Sequence, residues 1–290
     1  MPVAVSAALG AAVLFGTAAV LQALAVARTP STGLDRRWVL RLLGRWQFRL
    51  ALLLNVVGFG LHVVALQVLP LFLVQAAISS SVAVTAVLAG QLLHLPLHAR
   101  QWLGVAAVCV GLTALGNAAS AGADRSTPGL PAALALALLL VVATAFLLGR
   151  VRISHQAAVY GLLAGVCFAI VAVSARLLPD LTARAVLAAP SSYVLLAAGG
   201  VGFVLYSAAM HQGSVTTATA ALVLTQTTLP ALVGVLLLGD QVRPGSEPLA
   251  GAGLVLALAG TLALAAYEHF ELPALSSAAS RPVRCDPMTP

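Results

Sequence analysis

Residues 51–93 read ALLLNVVGFGLHVVALQVLPLFLVQAAISSSVAVTAVLAGQLL, with no Asp, Glu, Arg or Lys anywhere in the stretch. A helix needs about 20 apolar residues to cross roughly 30 Å of hydrocarbon, so this run holds two crossings. They meet at Leu69-Pro70, where proline interrupts the first helix and a tight join makes an antiparallel hairpin. Inside lipid every backbone N–H and C=O must be satisfied by the chain itself, which a helix achieves within one segment. The stretch therefore decides for a helical membrane fold.

Moving outward, similar runs recur at 3–27, 48–69, 71–93, 102–119, 130–149, 156–178, 190–211, 215–238 and 247–267. The expectation is an all-α polytopic bundle of about nine transmembrane helices. Composition agrees: 61% of the 290 residues are hydrophobic and only 8% are charged, too few to coat a soluble core. The basic excess of +7 comes from arginines alone, set in short clusters between apolar runs. That distribution orients a membrane protein and does not track phosphates, so no nucleic-acid partner is expected. Cys109, Cys167 and Cys285 lie far apart with no CxxC or Cys/His cluster, so no metal or cofactor is expected.

The arginines after spans one, three, five and nine number eleven, against four after spans four, six and eight. By the positive-inside rule the N-terminus is expected outside and the C-terminal tail in the cytoplasm, with the cell membrane as location. Ala25-Val26-Ala27 resembles a cleavage site, but the first apolar run is too long for a signal peptide and is kept as a helix. Arg37, Arg41, Arg45 and Arg49 recur every four residues opposite Trp38, Leu42 and Trp46. This predicts an amphipathic helix over about 34–47 in the cytoplasmic interface, a basic anchor on anionic headgroups. The tail 268–290, rich in Pro, Ser and charge, is expected to be disordered.

The chain also repeats itself. Gly58-Phe59 in the second span matches Gly202-Phe203 in the seventh; the same offset sets His62 opposite Tyr206, Gln75 opposite Thr219 and Ser81 opposite Thr225. Gly104 and Gly111 in the fourth span match Gly253 and Gly260 in the ninth with equal spacing. Residues 1–119 then form one four-helix repeat, 130–149 a linking helix, and 156–267 the second repeat. Five crossings separate corresponding helices, and an odd number reverses direction. The copies are thus expected to be inverted, an architecture many secondary transporters use.

The segment QTTLPALVGVLLLGD, residues 226–240, followed by a loop and a Gly-x6-Gly helix, resembles the drug/metabolite transporter superfamily. EamA-type members carry a similar proline-containing helix ending in Leu-Gly-Glu, where this chain has Leu238-Gly239-Asp240; residues 70–116 resemble the same helix pair. Val159-Tyr160-Gly161 is similar to the nine-helix NIPA-type magnesium transporter branch. The resemblance implies a carrier of small solutes. The chain departs from it in having nine spans where EamA proteins usually have ten. Its first span also has no acid, so the proton-coupling glutamate of the small multidrug resistance proteins is not carried over.

No Asp or Glu lies at the centre of any span, which argues against proton coupling through a buried carboxylate and against a site for bare magnesium. The deep polar groups fall in the third span (Gln75, Ser79, Ser80, Ser81) and the eighth (Thr219, Thr225, Gln226, Thr227, Thr228). Pro230 has no N–H for the carbonyl of Gln226, freeing an acceptor near mid-membrane. Asn55 and His62, with Tyr206, are expected to complete a substrate cavity at the repeat interface: Asn55, His62, Gln75, Ser79, Ser80, Tyr206, Thr225 and Gln226. For any single Ser or Thr, bonding back to its own helix is the more common role. Asn55, His62, Gln75 and Gln226 are harder to hide in lipid.

The leading functional expectation is a secondary transporter of a small solute working by alternating access. A NIPA-like divalent cation carrier and a non-transport scaffold are the alternatives. An enzyme is not expected, since the sequence has no nucleophile–base pair, HExxH or other metal motif. The partners expected are the lipid bilayer and a small-molecule or ion substrate; a homodimer is left open.

Overall fold

The structure is a computed structural model that describes residues 2–27, 41, 43–92, 98–120, 129–150, 155–178, 182–211 and 215–279. Its helices are α1 (Pro2–Ala27), α2 (Trp46–Leu66), α3 (Leu71–Ser79), α4 (Ser81–Leu92), α5 (Ala99–Ala118), α6 (Leu130–Leu148), α7 (Gln156–Arg176), α8 (Ala183–Ala188), α9 (Pro190–His211), α10 (Val215–Leu236) and α11 (Glu247–Ala279). Among the described residues nine spans are long and apolar enough to cross a bilayer, with α3 and α4 together making the third. The protein is an all-α polytopic membrane bundle.

Three details depart from the spans read in the sequence. The second helix stops at Leu66, and Gln67 to Pro70 form the turn that leads into α3. The third span is not continuous: Ser80 breaks it near its centre, its hydroxyl donating to the carbonyl of Ala77 at 2.6 Å. The last helix runs on to Ala279, past Glu268, where composition predicts irregular chain to begin. The remainder of that tail, and most of the interfacial helix expected over 34–47, lie outside the described residues.

Packing follows side-chain size. α1 packs most closely on α2, α7 on α9 and on α10, and α5 on α11. Glycines mark the tightest approaches. A Cβ on Gly161 would lie 2.4 Å from the carbonyl oxygen of Ala218, and one on Gly165 would lie 2.6 Å from Thr225 Cβ, so α7 and α10 meet almost backbone to backbone. In lipid there is no hydrophobic drive between helices, and such close van der Waals contact supplies much of the association.

Outward-facing leucines, valines and phenylalanines, among them Leu53, Leu103, Leu139, Leu196, Phe203 and Val255, form a broad apolar surface. Such a surface on a soluble monomer would drive aggregation, whereas hydrocarbon solvates it. Helix α6 is the most peripheral span, with 22% of its residues buried against 67% for Gln156–Arg176.

Candidate functional site

The ends of α2, α5, α7 and α10 gather at one face of the bundle, here called the Asp240 end. Gly239, at φ +74°, turns the chain out of α10 and brings Asp240 back over Gly234, whose carbonyl accepts from the Asp240 N–H at 2.8 Å. One carboxylate oxygen of Asp240, Oδ2, accepts from the Leu71 N–H at 2.6 Å, capping α3. The other, Oδ1, lies 3.5 Å from Nη2 of Arg176. Arg176 Nη1 donates to the carbonyls of Leu69, at 2.7 Å, and Leu66, so the end of α7 holds the buried end of α2 and the turn after it. Gln67 returns the contact, its Nε2 donating to the Ala175 carbonyl at 2.8 Å.

A second tie joins the loop after α10 to the end of α5. Ser120 N–H donates to the carbonyl of Gln241 at 3.1 Å, and Arg243 N–H to that of Ala118 at 2.8 Å. Burial pushes the Asp240 carboxyl above its ordinary pKa, opposed by the Leu71 N–H and the Arg176 guanidinium. Along the sequence Arg176 stands near the end of the sixth span and Asp240 in the Leu238-Gly239-Asp240 that follows the eighth. The structure pairs them and makes them the knot of this face. Pairing across 64 residues leaves no local sequence signal.

Deeper in the bundle, the break at Ser80 sits beside α10 and α11. Ser79 Oγ and Thr227 Oγ1 share a hydrogen bond of 2.8 Å, both buried. Thr261 Oγ1 donates to the Ala257 carbonyl at 2.8 Å and lies 3.5 Å from the carbonyl of Ser79. Thr227 and Thr261 were not among the expected site residues, although Thr227 stands in the hydroxyl run of α10. Thr225 instead donates to the Ala221 carbonyl at 2.8 Å and fills the space against Gly165, a packing role.

The remaining expected residues occupy different depths. His62 lies four residues before the end of α2 and Gln75 four residues after the start of α3, which places both about 6 Å below the knot at a 1.5 Å rise per residue. Both are buried; His62 Nδ1 has no partner, and its ring lies 6.2 Å from that of Phe59. Tyr206 and Thr219, their counterparts by position, share a 2.8 Å hydrogen bond near the opposite face, where α9 ends and α10 begins. His62 and Gln75 thus do not converge with Tyr206. The middle of the spans holds half-buried Asn55 and Gln226, buried Ser79, Ser80 and Thr227, and, one turn beyond Gln226, fully buried Pro230.

Compared with family models, curated proteins and solved structures, the chain matches none.

Proposed function

We propose that this protein is a secondary transporter of the drug/metabolite type, moving a small uncharged or zwitterionic solute by alternating access between two inverted four-helix copies. One observation carries the reading. The backbones of α5 and α11 cross at two glycine pairs: a Cβ on Gly260 would fall 2.7 Å from the Gly104 carbonyl, and one on Gly111 would fall 2.6 Å from the Gly253 carbonyl. By spacing, Gly104 corresponds to Gly253 and Gly111 to Gly260. Each glycine therefore meets the partner of the other, the contact expected of two copies related by a two-fold axis in the membrane plane.

The hairpins agree. Gly58 seats α2 against Leu14 and Phe15 of α1, with Leu14 Cβ 3.3 Å from a Cβ placed there; Gly202 seats α9 against Cys167 and Phe168 of α7, with Cys167 Cβ 2.9 Å away. In this reading the broken helix at Ser80 and the proline helix at Pro230 form the mid-membrane site. Asn55, Gln226 and the Ser79–Thr227 pair supply its polar contacts, and the knot at Asp240 closes one entrance. The arginine bias sets the N-terminus outside and the tail inside the cell membrane.

Uptake into proteoliposomes, screened over neutral metabolites, amines and amino acids, tests this. A solute accumulated by the native protein and not by Gln226→Ala or Asn55→Ala is the expected outcome. No flux for any member of the panel, with folded protein verified in the same vesicles, would sink the proposal.

A further inference from the structure

A groove of about 500 Å³ opens at the Asp240 end between α1 and α5. Val5 and Leu9 form one wall and Gly116 the other; Leu69 and Leu73 form the floor, and Arg243 stands at the mouth. The gap follows from helix pairing, since α1 packs on α2, α3 and α4 while α5 packs on α11. Gly116 keeps it open: a Cβ there would meet nothing within 4 Å.

We propose that this groove binds an anionic phospholipid, with one acyl chain laid along α1 and the phosphate on Arg243. Three observations support it independently of any transport activity. The side chains lining it below the mouth are apolar apart from Ser6, whose hydroxyl already donates to the Val3 carbonyl at 2.9 Å. Leu9 lies about 10 Å deeper than the start of α1 at the helical rise, the direction an acyl chain takes from a headgroup. Arg243 follows the end of the α10 span and is held there by its own N–H on Ala118; its side chain is exposed, and among the described residues no carboxylate lines the groove. A guanidinium in that position makes charge-assisted hydrogen bonds to a phosphate, and at the interface these are less screened than in water. The volume falls within the roughly 300–1,000 Å³ of ligand sites. The floor residue Leu69 also carries a carbonyl that Arg176 holds, so an occupied groove braces the knot.

The test is native mass spectrometry of the purified full chain, titrated with phosphatidylglycerol or with phosphatidylcholine of the same acyl chains. Phosphatidylglycerol is expected to be retained about fivefold better, the advantage one interfacial basic residue confers. Arg243→Gln should abolish that preference, while Arg100→Gln, exposed at the opposite face, should keep it. Gly116→Leu should lower retention of both lipids by filling the groove. If that variant does not fold, Leu9→Trp fluorescence, quenched by phosphatidylglycerol brominated on its acyl chain, decides instead. Equal retention of both lipids, a preference that survives Arg243→Gln, or an unquenched tryptophan would each overturn the proposal. So would glycerol phosphate competing as well as the intact lipid, which would make the site one for a soluble phosphate.

Discussion

Arg176 and Asp240, at the ends of α7 and α10, form a buried ion pair of 3.5 Å that also caps α3 and holds the end of α2. Four helices, two from each half of the sequence, therefore depend on two side chains. Charges taken out of water are tolerated here because every strong acceptor in the cluster has a donor.

Removing one partner leaves the other buried and unpaired. Arg176→Met is expected to destabilise the protein by about 3–5 kcal/mol, and the paired Arg176→Met/Asp240→Leu by much less, since no charge is then left stranded. Thermal unfolding of both variants in detergent checks this. Equal losses in the single and double variants would show that the pair is not a coupled unit.

The raised pKa of the Asp240 carboxyl has a direction that pH can test. With the knot closed the carboxyl binds its proton more tightly than an exposed aspartate does, so acidification favours the closed arrangement. That added stability is fully present below the ordinary aspartate value and is lost as pH rises through the raised one. Arg176, the cation facing it, stays charged throughout. Unfolding temperature should therefore rise, relative to Asp240→Asn, as pH falls toward the carboxylate range. A difference that is flat or opposite in sign would contradict the burial that causes the shift.

The α5–α11 crossing has no room for a methyl group. Gly111→Ala would set a Cβ 2.6 Å from both the Ala257 nitrogen and the Gly253 carbonyl, backbone atoms that cannot rotate away. A loss of about 1–3 kcal/mol is expected from this overpacking. Gly60→Ala, where nothing lies within 4 Å, should be neutral or stabilising by roughly 0.5–1 kcal/mol, the ordinary helix effect. Side-by-side denaturation curves separate the two.

The Ser79–Thr227 hydrogen bond ties the broken helix to α10. A double-mutant cycle with Ser79→Ala and Thr227→Val should return a coupling of about 0.6 kcal/mol, the usual size for polar pairs between membrane helices. A coupling of zero would mean that the two hydroxyls merely lie close.

Much of the fold was legible along the chain. Apolar length alone marks spans such as 130–149, and the glycine spacings in the fourth and ninth spans anticipate the paired contacts seen between α5 and α11. The site was less legible. His62, Gln75 and Tyr206 look convergent when the two halves are aligned in sequence, yet His62 and Gln75 lie near the Asp240 end while Tyr206 bonds Thr219 near the opposite one. The break at Ser80 was equally hidden, because a run of serines in an apolar helix is compatible with continuity and with interruption.

The linear sequence by itself determined that the chain crosses a membrane many times as helices, because hydrocarbon permits no other use for such long uncharged runs. Only the tertiary structure decided that Arg176 reaches Asp240, that Ser79 meets Thr227, and that a groove remains between α1 and α5. Those are pairings between distant helices, set by where small residues allow backbones to approach, and no local pattern records which helix will be the neighbour.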